Sequence, residues 1–301
     1  MLTCCLTQKS NYKDEKMQSS KMVSSRLRYA LYNVKTSPMG MTGICIIAAI
    51  TIIAIFAPYL APHPDQVYRV DIKNKLQSPS RDHLFGTDDH GRDILSRTIF
   101  GSRISLQVSL IVVFLASLMG SILGLISGYY GGRIGNIIMR ITDAFLSFPP
   151  LVMALCIQAA LGPSISNTMI ALSMVWWTWY ARIVRGQVLS IKEELYIESA
   201  RTMGVRHFRL MIRHILPNCV GPIIVQGSLQ MGYAVIATAS LGFLGVGAQE
   251  PIPEWGLMVA TGRAFLPDWW WISTFPGFAI FLLVLGFCLL GDALTDIFER
   301  H

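Results

Sequence analysis

The sequence predicts an all-α integral membrane protein with six transmembrane helices, and three observations carry that prediction. Hydrophobic residues make up 52% of the 301 positions and charged residues only 14%, against about a quarter charged in ordinary soluble domains. The charges are bunched: no Asp, Glu, Lys or Arg occurs from Ala144 to Ala181 or from Asn218 to Gln249. Such runs exceed the roughly 20 apolar residues that cross a bilayer. The basic residues flank apolar stretches, where they set topology against anionic lipid. The net charge of +7 therefore points to a lipid bilayer as partner and excludes a nucleic-acid reading.

Taken in order, residues 1–38 are polar and basic and read as a tail, with residues 1–22 expected to be disordered and Met17 or Met22 as alternative starts. No apolar core lies near the start, which argues against a cleaved signal peptide. Residues 39–103 hold the first span, Gly40–Tyr59, and a polar external segment from Ala61 to Arg103. Residues 104–301 hold the remaining spans, Ile104–Gly128, Asp143–Leu161, Ser166–Ile183, Val220–Gly242 and Ser273–Leu290, with a polar loop over 185–219. With the N-terminus inside, 17 of the 25 Lys and Arg residues fall inside, so both termini are expected to be cytoplasmic.

Within the second span Gly120, Gly124 and Gly128 recur every fourth residue, forming one helical stripe that lets a neighbouring backbone approach closely. Packing within the chain and packing against another subunit both fit, the first better. Pro149-Pro150 interrupts the third span, where a kink or a late helix start is expected. Trp176, Trp177, Trp179, Tyr180, Trp269, Trp270 and Trp271 cluster near span ends, which suits interfacial anchoring for most of them. The six cysteines, Cys4, Cys5, Cys45, Cys156, Cys219 and Cys288, show no CxxC or Cys/His metal spacing, and fit reduced or lipid-buried thiols.

What the spans lack argues against several functions, with a gradient-driven secondary transporter and a membrane enzyme kept as the less favoured alternatives. They hold amides (Gln158, Asn167, Gln226, Gln230) but no ionisable side chain away from their ends. A gradient-driven secondary transporter needs such groups to bind and release the driving ion, and a membrane enzyme needs a catalytic constellation at bilayer depth. No G-x-x-x-x-G-K-[ST] phosphate loop is present, so any ATP is bound by another polypeptide. No catalytic residue, cofactor or metal site is expected. The tip residues Asp88, Asp89, Gly91 and Asp93 invite a calcium loop, but the EF-hand ligand spacing and terminal Glu are missing.

The loop from Glu193 to Pro217 reads as a helix–turn–helix. Gly204 can end the first helix in a left-handed conformation. In the second, Phe208, Met211, Ile212 and Ile215 share one face and Arg206, Arg209 and Arg213 another, and Pro217 marks where the next membrane helix begins. Periodicity alone leaves open a hairpin docked in a partner's groove and a basic helix lying on the inner leaflet. The spacing separates them: Glu198-Ser199-Ala200, Gly204 six residues after the Glu, and Leu216-Pro217 twelve after the Gly resemble the cytoplasmic EAA signature of binding-protein-dependent ABC importer permeases. Ser199 replaces an alanine and His214 a common isoleucine. The resemblance implies that Glu198, Ala200, Gly204, Leu216 and Pro217 seat in a cleft of an ATP-binding subunit.

Gly86-Thr87-Asp88, Gly91-Arg92-Asp93 and Ser96-Arg97, then Gly101 and Arg103, are similar to the external segment of the C-type permease of peptide and nickel importers. Ser240–Gly245, Pro253–Gly256, Gly262-Arg263, Phe275–Gly277 and Leu290–Asp292 are similar to it too, with Cys288 and Glu299-Arg300 as departures. The resemblance implies a methionine-importer-like ABC permease fold in the bacterial inner membrane. It also implies a homologous second permease, two ATP-binding subunits and an extracytoplasmic solute-binding protein as partners. Short peptides are the expected cargo, a nickel or metal-chelate importer the alternative.

Overall fold

The computed structural model describes residues 37–299; the N-terminal tail with Cys4, Cys5, Met17 and Met22 lies outside them, as does Arg300. The described residues are almost entirely helical, with one isolated bridge between Thr87 and Asp93. Helix α1 spans Pro38–Ile55, with Ser37 capping the Gly40 amide and Pro38 in the first turn, where a missing N–H costs nothing. Its C-terminal carbonyls are closed from a distance: the Arg103 guanidinium donates to Ala54 O and, at 2.7 Å, to Ile55 O, satisfying acceptors that a helix end leaves orphaned.

Helix α2 runs from Ile94 to Tyr130, 37 residues, or about 55 Å. Asp93 caps it by accepting from the Ser96 amide at 2.8 Å. The helix thus starts ten residues before Ile104, inside the expected polar external segment. The cap explains the early start, because Asp93 stabilises helix there whatever the bilayer's position.

The third expected span is broken. Helix α3, Gly132–Leu146, and helix α4, Pro150–Leu161, meet at 92°. Pro149 is held extended by the proline that follows it, so helix restarts only at Pro150. Asp143 consequently lies on α3, exposed and paired to Arg182 at 2.6 Å. Helix α3 is two-faced: Gly135, Met139 and Thr142 are buried while Arg133, Arg140 and Asp143 are exposed, the pattern of a helix lying along an interface.

Helix α5, Ile165–Ile191, is capped by Ser164 and runs through the middle of the bundle. That position corrects the reading of its aromatics. Trp176, Trp177 and Tyr180 are buried core residues and only Trp179 is substantially exposed. Trp271 is likewise buried, with its indole donating to Thr87 O at 3.3 Å. After the short helix α6, Leu195–Thr202, helix α7 is continuous from His207 to Phe243. Helix α8, Trp255–Gly262, follows, and α9, Trp271–Glu299, ends the fold against α1. Gly43 lets those two helices touch: a Cβ there would lie 2.8 Å from Gly286 O.

Among the described residues, α1, α2, α7 and α9 are long and apolar enough to cross a membrane, and the bent α3–α4 pair adds a fifth candidate. Helix α5 has the length, 27 residues, but carries Arg182 and Arg185 in its second half.

Candidate functional site

The hairpin between α5 and α7 is built on a small apolar anchor. Ile197 and Ala200 of α6 are buried with Val184 and Val188 of α5 and Leu210, Met211 and Ile215 of α7. Because residues three and four apart share a helix face, burying Ile197 and Ala200 turns Glu198 and Ser199 outward, and both are exposed. Glu198 also sits in the first turn of α6, where a negative charge suits the helix dipole. Gly204 has φ +79. Its amide bonds Arg201 O at 3.0 Å, and the Val205 amide bonds Ala200 O at 3.2 Å. Together these form a Schellman stop whose geometry favours glycine.

The second arm differs from the sequence expectation in two ways. Leu216 and Pro217 are half-buried; the α-helix proper starts at Leu216 with Pro217 in its first turn, as expected, but the arm before it joins on without a gap. A π-turn over Met211–Ile215 precedes it, and this wider turn accommodates the residue that lacks an amide proton. The extra residue per turn also shifts the register of faces. Met211 and Ile215 go inward with Leu210, while Phe208 and Ile212 are exposed, Phe208 by 72%. Arg206, Arg209 and Arg213 are exposed or partly so. With Leu195 and Met203 also exposed, the hairpin tip presents an apolar surface rimmed by arginines.

Beside the hairpin lies a cleft of about 530 Å³, lined by Tyr129, Tyr130, Lys192, Glu193, Ile197, Glu198, Arg201, His207 and Leu210. Across it the Tyr129 hydroxyl lies 2.5 Å from His207 Nδ1.

The motif over residues 86–97 is a buried polar knot. Gly86 and Gly91 both have positive φ, and a Cβ on Gly91 would lie 1.7 Å from Asp71 O. Thr87 takes the Gln77 amide at 2.8 Å and donates to Asn74 O at 2.5 Å. Asp88 accepts from the His90 and Arg92 amides at 2.9 Å and from Arg92 Nε at 2.7 Å. Both its oxygens are thus engaged, and the nearest positive charge is a guanidinium of this chain. Asp93 caps α2 and lies 3.0 Å from His83 Nδ1, while Ser96 Oγ accepts the His63 amide at 3.0 Å. Arg97, 1% exposed, donates to Val67 O at 2.8 Å.

Two residues in this region carry roles that sequence reasoning missed. Glu250 pairs with Arg92 and, at 3.4 Å, with Arg97, closing a cluster of two guanidinium and two carboxylate groups. Burial pushes the Glu250 carboxyl up, but the hydrogen bond from Arg92 and the two positive charges outweigh it and hold the pKa below the usual range. Arg92 is raised in turn, Glu250 and Asp88 outweighing the burial that lowers it. Glu254 caps α8 through the Gly256 and Leu257 amides at 2.8 and 2.7 Å. Its burial pushes the pKa up to about 7 despite those bonds. Glu254 was findable as a cap candidate ahead of Trp255, whereas Glu250 has no local signal: its partners lie more than 150 residues away.

The glycine stripe faces α5. A Cβ on Gly120 would lie 2.2 Å from Trp177 O, one on Gly124 2.5 Å from Ala181 O, and one on Gly128 2.7 Å from Val188 Cβ. The membrane-depth amides serve structure: Gln158 donates to Gly162, Ser164 and Val246 carbonyls, and Asn167 to Leu161 and Gly162 carbonyls.

The chain has relatives among known proteins. Residues 120–301 match the family model described as binding-protein-dependent transport system inner membrane component, and residues 25–79 match the N-terminal transmembrane domain of oligopeptide transport permease C. The chain is 44% identical over 269 residues to a dipeptide transport system permease protein of Alkalihalophilus pseudofirmus, covering 89% of this chain and 88% of that protein. It is 43% identical over 295 residues to a dipeptide transport system permease protein of Escherichia coli, covering 95% and 97%. A solved inward-facing methionine ABC transporter superposes with a TM-score of 0.55 at 17% identity, over 68% of this chain and 97% of that one, a likeness of fold.

Proposed function

The chain belongs to the family of binding-protein-dependent transport system inner membrane components, and on that premise we propose that it carries short peptides across a bacterial inner membrane as the permease subunit of an ATP-binding-cassette importer. It is a transport subunit and not an enzyme; ATP hydrolysis belongs to separate subunits of the system, and an extracytoplasmic binding protein delivers the cargo. The finer assembly we propose is this chain with one homologous permease and two ATP-binding subunits. Both termini face the cytoplasm, and α1, α2, the α3–α4 unit, α5, α7 and α9 make six crossings. The relatives' dipeptide names support the cargo class.

The observation that carries the reading is the hairpin. Glu198 is exposed over an anchor made by Ile197 and Ala200, Gly204 fixes the turn, and the second arm flows without a break into α7. A load applied at such a tip moves a whole membrane helix and not a loose loop. The exposed apolar tip with its arginine rim suits a protein groove better than water. Glu198→Lys should abolish receptor-stimulated ATP hydrolysis of the reconstituted system while the permease stays in the membrane at normal level. Normal stimulation in that variant would refute the docking role. Uptake of a labelled dipeptide that stops on ATP depletion and survives an uncoupler tests the transport class.

A further inference from the structure

Helices α2 and α7 share a feature that neither sequence motif announces. Each is 37 residues long, they run antiparallel, and they are tied to each other at both ends. At the hairpin end Tyr129, next to the last residue of α2, bonds His207, the first residue of α7. At the external end Arg92 and Arg97, flanking the start of α2, hold Glu250 in the loop that follows α7. Between the ties the two helices share core along their length: Val108, Val112 and Ala116 of α2 pack in one cluster with Ala234, Ala237 and Leu241 of α7, and Leu125 packs with Met211 and Ile215.

We propose that the two ties make α2 and α7 one rigid lever, and that Tyr129 and Glu250 are positioning residues that carry hairpin movement to the external face. The inference rests on the transport reading above. A single helix tilted at one end can slide or bend against its neighbours. Two helices joined at both ends about 55 Å apart and packed along their length resist sliding past each other, so displacement delivered beside Glu198 is passed toward the external loop. The two ties differ in environment. The external one is built from buried guanidiniums whose lost partner leaves uncompensated charge, with Arg97 Nε already lacking a hydrogen-bond partner. The inner one is a single exposed contact.

The test uses the complete importer in proteoliposomes: this chain, its partner permease, the ATP-binding subunits and the receptor. Uptake of radiolabelled dialanine and ATP hydrolysis are measured in the same vesicles. Glu250→Gln keeps the shape and removes the charge; Tyr129→Phe removes only the hydroxyl. Tyr129→Phe is expected to assemble at wild-type level and Glu250→Gln at a reduced level; in the complex that forms, each is expected to raise receptor-independent hydrolysis and lower dipeptide moved per ATP at least threefold, with Glu250→Asp recovering most of the ratio. A merely structural role would lower the amount of complex and leave the ratio alone. An unchanged ratio in both variants overturns the lever while the transport reading stands. Absence of ATP-driven uptake in the wild type overturns the transport reading and the lever with it.

Discussion

Adding one methyl group at Gly120 should separate close packing from mere tolerance of small residues. A Cβ there would sit 2.2 Å from Trp177 O, 2.6 Å from Tyr180 Cβ and 3.0 Å from the Ala181 amide nitrogen. Two of these are main-chain atoms of α5 and cannot rotate away, so α2 and α5 must move apart by about 1 Å to reach an ordinary contact distance. A gap of that size forfeits a quarter to a half of the dispersion well for atoms facing across it, and Gly124 and Gly128 lie on the same seam. Overpacking of this kind costs about 1–3 kcal/mol, while Gly→Ala in a helix gains back roughly 0.8–1 kcal/mol. Gly120→Ala should therefore be net destabilising by up to about 2 kcal/mol, the main-chain clash putting it toward the upper end. Gly186 on α5 is the internal control, because nothing lies within 4 Å of its missing Cβ, and Gly186→Ala should stabilise by the propensity gain alone. Thermal unfolding of the purified chain in detergent reads both. At roughly 2–4 °C per kcal/mol for chains of this order of size, Gly120→Ala should lower the midpoint by a few degrees and Gly186→Ala should raise it. If Gly120→Ala leaves the midpoint unchanged or raises it, the close approach of α2 and α5 is wrong. The stripe would then belong to a subunit contact, invisible in the isolated chain.

Two further outcomes follow from groups outside the spans. Glu254 holds its proton up to about pH 7 in the folded chain because it is buried, whereas an unfolded chain releases it near pH 4.3. Its contribution is therefore fully present below about pH 4, eroded as pH rises between those values, and gone above about pH 7, a span worth up to about 3 kcal/mol. Glu254→Gln, which keeps one of the two acceptors for the α8 amides, should flatten the melting midpoint between about pH 4 and 7; a variant as pH-dependent as the parent would overturn the assignment. At Gly204 open space surrounds the missing Cβ, so substitution costs only the left-handed backbone, about 1 kcal/mol for Ala. Hydrogen exchange of residues 195–203 should then speed up in the order Gly, Asn, Ala, Val, and an order that puts Ala ahead of Asn in protection would contradict the φ argument.

What could be read from the sequence, and what could not, divides along range. The apolar runs locate the helices because bilayer thickness and helix rise are fixed lengths. The turn at Gly204 is readable because a left-handed residue is the commonest way to stop a helix like this one. Charge-poor α5 is readable as a helix, yet its tryptophans are not placed by the same reasoning: interfacial anchoring is a property of a lone helix, and α5 is surrounded. The same limit explains Phe208 and Ile212. A heptad-like spacing assumes 3.6 residues per turn, and the π-turn before Pro217 breaks that assumption inside a five-residue window. The cap at Asp93 is visible as part of a motif, but a span read from apolar residues alone starts α2 too late, at Ile104 instead of Ile94.

Glu250 shows where local reasoning ends. Nothing in the stretch around it distinguishes a rim carboxylate from one that completes a buried cluster with Asp88, Arg92 and Arg97. Yet the two arginines hint at a missing partner. Two guanidiniums at a helix start, with Asp88 to balance one of them and Asp93 engaged as the cap, leave one positive charge over, and a buried excess charge is not tolerated without a counter-ion. A further member with a negative charge is required from somewhere in the fold. Counting charge within a motif can thus demand a distant residue by its sign, even where the sequence does not name the position.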